Sequence, residues 1–113
     1  METPVDIALQ FGQTNYQFIA EDISAGGVAI ILDGPVTFKD DDEVVLTIVL
    51  PFTNGDIHYV VTNARIVRIF DREGMKIASI RLTDTDDVDQ QHIVRFCFER
   101  QLLNRKKELN TIE

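Results

Sequence analysis

The segment Asp22-Ile23-Ser24-Ala25-Gly26-Gly27 gathers residue types suited to holding a small polar ligand. Asp22 is a carboxylate that can accept two parallel N–H donors, as from a guanine Watson–Crick edge or an arginine fork. Ser24 can fix a turn or donate to a phosphate. Gly26 and Gly27 permit positive φ and close backbone approach. From spacing alone a plainer reading stays open, an Asx turn leading into a strand.

No enzymatic constellation competes with this segment. His58 and His92 fall on different elements without metal-ligand spacing. Cys97 lies on an apolar helical face and reads as a core residue rather than a nucleophile. Asp40, Asp41 and Asp42 are consecutive, whereas a calcium loop needs spaced ligands and a glycine. There is no phosphate-loop glycine pattern and no nucleophile–base pair. The expectation is a non-enzymatic chain with no catalytic residue, resident cofactor or metal.

These residues must be positioned by one domain over residues 1–113. A chain of 113 residues, 44% hydrophobic and 27% charged, can bury one core without staples. The net charge is −8, and from Met1 to Val60 the only Lys or Arg is Lys39. Such an acidic chain is a poor duplex nucleic-acid binder, because phosphate neutralisation drives that affinity. Arg95, Arg100, Arg105, Lys106 and Lys107 cluster towards the C-terminus. They suit either an acidic partner or a solvated helix face with its cations near the negative dipole end. No apolar run is long enough to span a membrane, and Met1-Glu2-Thr3-Pro4 does not begin like a signal peptide. With a single cysteine, the expected location is the cytoplasm.

Val5, Ile7, Leu9 and Phe11 alternate with Asp6, Ala8 and Gln10, the period of a half-buried strand. A turn over Gly12–Asn15 leads to a strand over Tyr16–Ile19. The Asp22–Gly27 segment then reads as a tight connection to a strand over Val28–Leu32. Asp33-Gly34-Pro35 breaks that strand, and the Lys39–Glu43 charge cluster should face solvent. Val44–Leu50 reads as a buried strand, and Asn54-Gly55 as a two-residue hairpin turn. The long strand over Ile57–Phe70 should bend near Thr62-Asn63. A turn at Asp71–Gly74 leads to the strand Met75–Leu82. Thr85, Asp86 and Asp87 are candidate helix caps, with Gln90 in capping-box spacing from Asp87. From Asp87 to about Leu109 a helix should set Ile93, Phe96, Cys97 and Arg100 on one face, with Val94, Phe98 and Leu102 beside it. The fold class is mainly β: a six-stranded antiparallel barrel over about residues 5–83, followed by a C-terminal α-helix. The few apolar helix positions leave a helix-mediated homo-oligomer open.

Asp22-x-Ser24-x-x-Gly27 resembles the (D/N)-x-S-x-x-G motif of PilZ domains, and it stands where that family carries it, after the second strand. Ala64–Arg68, Met75–Leu82 and Gln90–Gln101 also look like the C-terminal half of PilZ domains of the flagellar-brake-like group. The resemblance implies a bacterial signalling receptor without catalysis, whose ligand is cyclic di-GMP and whose binding residues here are Asp22, Ser24, Gly26 and Gly27. It also implies an R-x-x-x-R segment before the first strand, with arginines gripping phosphates and the guanine Hoogsteen face. Glu2 stands at the second arginine's place, and the first would precede Met1. Losing two bidentate arginine contacts weakens binding by roughly 2–6 kcal/mol. A micromolar site weakened by about 4 kcal/mol becomes near-millimolar. Two readings follow: a receptor domain that is weak in this chain without those arginines, or a ligand-independent adaptor docking a partner protein. Arg65, Arg68 and Arg72 are the candidate substitutes, with sheet-surface charge as their plainer role.

Overall fold

The computed structural model describes residues 5–112, with side chains as far as Leu103. Glu2 and the side chains of Arg105, Lys106 and Lys107 therefore lie outside the described residues. Six strands, β1 (Val5–Phe11), β2 (Thr14–Ile23), β3 (Gly27–Leu32), β4 (Glu43–Pro51), β5 (Ile57–Arg72) and β6 (Met75–Leu82), precede one helix, α1 (Asp87–Ile112). All pairings are antiparallel, and the order β1-β2-β3-β6-β5-β4 closes on itself. Closure satisfies every strand edge, which an open sheet of this size would expose. The alternation read from the sequence sets the two faces: Val5, Ile7 and Leu9 of β1 and Val44, Leu46, Ile48 and Leu50 of β4 are buried in the core.

Several local expectations are corrected. The strand expected at Tyr16–Ile19 runs Thr14–Ile23, so Asp22 and Ile23 sit on β2 rather than in a connection. Asn54-Gly55 does not make a two-residue hairpin. Phe52–Asp56 forms a longer loop in which Asn54 Oδ1 accepts the Asp56 N–H at 3.0 Å and Phe52 O accepts the Gly55 N–H at 3.1 Å. The side chain of Asn54 thus rebuilds the turn it was expected to centre. The irregularity in β5 falls at Val67, between Ile66 and Arg68, not near Thr62-Asn63. The β5–β6 turn narrows to Glu73 and Gly74, both at positive φ (53° and 82°), which matches the twist of the flanking strands.

The acidic stretch is exposed as expected, yet it also has a structural task. Asp41 N–H donates to Ile66 O at 2.7 Å, Ile66 N–H to Asp42 O at 2.9 Å, and Ile69 N–H to Asp40 Oδ1 at 2.9 Å. β4 ends its pairing at Glu43 opposite Arg65, so this stretch takes up the groups β5 would otherwise leave open there.

The cap of α1 is Asp86, whose Oδ1 accepts the Asp89 N–H at 2.8 Å; the capping box from Asp87 is not formed. The helix buries Ile93 and Phe96 in the barrel core and keeps Cys97 partly covered, while Val94, Phe98 and Leu102 are exposed. Arg100 lies on Phe96, 5.0 Å from the ring centroid. Phe52 of the β4–β5 loop meets Phe96 edge-on at 6.1 Å, and Arg95 caps Phe52 at 4.6 Å. His58 and His92 stack at 3.7 Å, and His58 Nε2 lies 3.2 Å from Asp89 Oδ1. Glu99 finishes the docking: one carboxylate oxygen accepts both the Thr53 N–H and hydroxyl at 3.1 Å.

The Thr53 N–H holds the Glu99 carboxyl below its ordinary range, helped by the Thr53 hydroxyl and Arg95 and opposed by burial. A carboxyl depressed by folding contributes stability that is full above its ordinary pKa of 4.5 and is lost as pH falls through the folded value. Glu99→Gln is therefore expected to lower the melting temperature at pH 7 by more than at pH 3. Thermal melts at the two pH values check this, and an equal gap at both contradicts the assignment.

Candidate functional site

β2 and β5 each carry one extra residue, and both lie on the same outer face. On β2, Ala20 pairs with Ile30 and Asp22 with Ala29, so Glu21 is the extra residue. On β5, Ile66 pairs with Ile80 and Arg68 with Ser79, so Val67 is the extra residue. Successive strand side chains alternate between faces. Without the bulges, Asp22 would follow Ala20 into the core and Arg68 would follow Ile66 inward. With them, Asp22 and Arg68 face solvent, and Ile23 and Ile69 turn in to pack on the core.

The register aligns four residues across the barrel: Asp22 opposite Ala29, Ala29 opposite Ser79, Ser79 opposite Arg68. Three inter-strand steps of ~4.8 Å separate the ends of this row by about 14 Å. The row belongs to a cleft of about 570 Å³ with Glu21 and Asp22 on one side and Val67, Arg68, Phe70 and Arg72 on the other. Ala29, Ser79 and Ile77 lie between them. Ile77 is fully buried, yet it stands outside the core cluster, on the outer parity of β6 opposite Phe70. Arg68 stacks over Phe70 at 4.6 Å, and Arg72 is ion-paired to Glu21 across the cleft.

The four residues singled out by the motif lie together at one end of this face. Asp22 Oδ1 accepts the N–H of Ile23 at 3.0 Å, a bond to its neighbour rather than an Asx turn, and its other oxygen has no hydrogen-bond partner among the described residues. Ser24 closes the turn: its N–H donates to Gly27 O at 2.9 Å, its hydroxyl to the same oxygen at 3.3 Å, and its carbonyl accepts the Gly27 N–H at 3.4 Å. Gly26 O accepts the Leu82 N–H at 3.0 Å, tying the turn to the end of β6. Neither Gly26 nor Gly27 uses the positive φ open to it. Gly27 is required for the close backbone approach: a Cβ there would lie 2.4 Å from the Ile80 carbonyl oxygen across the β3–β6 pairing. Nothing lies within 4 Å of a Cβ built on Gly26.

Among the three candidate arginines, Arg65 is removed from the cleft. It pairs with Glu43 at 3.1 Å, while Arg68 and Arg72 line the cleft itself. Sequence reading missed Glu21, Phe70 and Ile77. Their signal was the broken alternation at Ala20-Glu21-Asp22 and Ile66-Val67-Arg68, where charged residues fall on inward parity. Cys97 abuts this end of β2, its thiol donating to Ile23 O at 3.4 Å. Burial pushes the Cys97 thiol pKa up, the Asp22 charge adds to this, and Arg100 opposes it. A neutral, partly buried thiol is a packing group, in keeping with its reading as a core residue.

A closed six-stranded barrel with a polar motif at the edge of an outer cleft defines a small binding domain. The family profile for the PilZ domain matches residues 1–99, and the chain belongs to that family. It is 27% identical over 106 residues to the uncharacterised protein YpfA of Bacillus subtilis, covering 91% of this chain and 48% of that protein. The structure of the Bacillus subtilis inhibitor of motility, MotI/DgrA, superimposes with a TM-score of 0.83 at 25% identity, covering 93% of this chain and 50% of that one. The PilZ domain of YcgR from Escherichia coli, solved with c-di-GMP, superimposes with a TM-score of 0.73 at 16% identity, covering 93% and 87%. The chain thus spans about half the length of the Bacillus subtilis relatives it matches.

The two glycines separate packing from ligand contact. Gly27→Ala is expected to cost roughly 1–3 kcal/mol, because backbone rather than a flexible side chain must give way. Gly26→Ala, which meets nothing, is expected to leave stability within about 0.5 kcal/mol. Denaturant melts of both variants check this, and equal losses contradict it.

Proposed function

We propose that this domain is a cyclic di-GMP receptor that takes the dinucleotide on the outer face between the Asp22–Gly27 turn and β5. The observation that carries this reading is the Asp22-x-Ser24-x-x-Gly27 motif, rigidly closed at the edge of the cleft with one Asp22 oxygen unpartnered. That oxygen suits the paired N–H donors of a guanine edge. Ala29 and the aromatic Phe70 offer apolar surface to a base, and Arg68 and Arg72 offer charge to phosphates. The c-di-GMP held by the YcgR PilZ domain supports the same reading. The domain acts by binding rather than by catalysis, and its place is the cytoplasm; no described helix is long and apolar enough to cross a membrane.

Binding by the chain as it stands is expected to be weak, since Glu2 occupies the second arginine's place in the family's R-x-x-x-R. Calorimetry with cyclic di-GMP is the test, on the chain and on a version with R-x-x-x-R restored ahead of β1. The restored version is expected to bind more tightly by roughly 2–6 kcal/mol. Asp22→Ala is expected to weaken it. A restored version that binds nothing rejects the receptor reading.

A second reading, an adaptor docking a partner protein, is favoured by a different face. On β5, Ile57, Tyr59 and Val61 are 56%, 60% and 62% exposed, opposite Pro51, Val49 and Thr47 of β4. Exposed apolar patches of this kind mark protein contacts. Val94, Phe98 and Leu102 on α1 offer a smaller apolar surface, open to a partner or to a second copy. Since one relative is named an inhibitor of motility, motility is the readout. Expressed in motile Bacillus subtilis, the chain is expected to slow swimming, and Val61→Lys to abolish the effect without changing dinucleotide affinity. Swimming untouched by the native chain rejects this adaptor role.

A further inference from the structure

The geometry points to a cleft that is held shut by its own ion pair, with Arg72 as a phosphate-gripping residue and Glu21 as the internal competitor for it. This rests on the receptor reading and adds to it where the gripping charge comes from and what the ligand must displace.

Three observations converge. Arg72 on β5 and Glu21 on β2 are joined although β6 and β3 stand between their strands in the barrel order. The pair therefore runs over the cleft floor rather than along one ladder. Its carboxylate side is the more sheltered, the Glu21 side chain being 26% exposed against 50% for Arg72. Ile77 is fully buried on the outer parity of its strand, so it has a cover other than the core. It lines the same cleft that the pair spans. Glu21 is also the bulge residue of β2, the one left without a partner on β3 where the register slips by one. The same slip sets Asp22 on the face where the motif needs it.

A carboxylate bonded to a guanidinium occupies the position a phosphate would take, because both anions match the same donor fork. An entering phosphodiester must therefore displace Glu21 from Arg72. Exposed ion pairs contribute little, no more than about fivefold in an equilibrium constant. A dinucleotide that gains two guanidinium contacts overcomes that competition. Arg68 is placed to act with Arg72. It lies on the same strand and face, four residues or about 13 Å away at ~3.3 Å per residue. Its stacking on Phe70 holds the guanidinium at the cleft.

Calorimetry with cyclic di-GMP up to millimolar concentration on the 113-residue chain tests this. Glu21→Gln is expected to tighten binding about two- to fivefold, the range a surface pair allows. Arg68→Ala and Arg72→Ala are each expected to weaken it about fivefold or more. The deciding arm is the double variant: in the Arg72→Ala background, Glu21→Gln is expected to gain nothing, because the competitor has lost its target. A gain that persists there shows that Glu21 acts only through net charge and overturns the proposal. Binding that depends on Asp22 but is unmoved by all three variants overturns the proposal while leaving the receptor reading standing. No binding by the chain or by Glu21→Gln overturns the proposal, and the version with R-x-x-x-R restored then decides the receptor reading.

Discussion

The two bulges, at Glu21 on β2 and Val67 on β5, are the constraint from which the rest of this face follows. A strand of strict alternation through Ala20-Glu21-Asp22 or Ile66-Val67-Arg68 would turn a carboxylate or a guanidinium into the core. An uncompensated buried charge costs at least several kcal/mol, out of a total stability of roughly 5–15 kcal/mol. A bulge forfeits about one ladder hydrogen bond, roughly 0.5–1.5 kcal/mol. The bulged register wins, and Ile23 and Ile69 fill the inward positions instead. On β5, part of even that small loss is recovered, because Asp40 accepts the Ile69 N–H beside the irregularity. The acidic run is thus a support for the bulge as well as a solvated loop.

Because both slips fall on the same outer face, they place opposite charges on either side of a shared floor. β3 and β6 are not consecutive in sequence, and their pairing lays the floor between β2 and β5 on this face. That pairing needs Gly27, whose missing side chain leaves room for the Ile80 carbonyl. The motif glycine therefore secures the distance between the turn and the arginines, whatever further part it has in ligand contact. Behind the turn, α1 presses Cys97 against the Ile23 carbonyl and anchors through Ile93, Phe96 and Glu99. A shift of the turn would thus reach the helix through a direct hydrogen bond.

Much of this was legible in the sequence. Period-two alternation located the strands, because one face of each is dry, and the change to helical spacing after Asp84 located α1. The motif residues stood out through their resemblance to the PilZ motif, since types and spacing alone left an Asx turn open. What escaped has physical causes. A bulge leaves no residue-type signature; it is the outcome of a contest between ladder bonds and charge burial, visible only as misplaced parity. Asp22 was read as a loop residue because Asp favours turns locally, yet pairing with Ala29 outweighs that preference. The Asn54-Gly55 turn was overruled by side-chain bonds from Asn54 and Glu99, partners that local spacing does not reveal. The cap fell to Asp86 among neighbouring candidates. Arg68 and Arg72 were separable from Arg65 only once the barrel order was known.

The central claim is that a cyclic dinucleotide occupies the face spanned by Asp22, Ala29, Ser79 and Arg68. Backbone amide shifts in a two-dimensional NMR titration with cyclic di-GMP address it residue by residue. The account predicts saturable shifts at Ser24 to Gly27, Ala29, Ser79 and Arg68, with β4 and the Ile57–Val61 stretch of β5 unmoved. Shifts concentrated on that opposite stretch, or none at all at millimolar ligand, would contradict it.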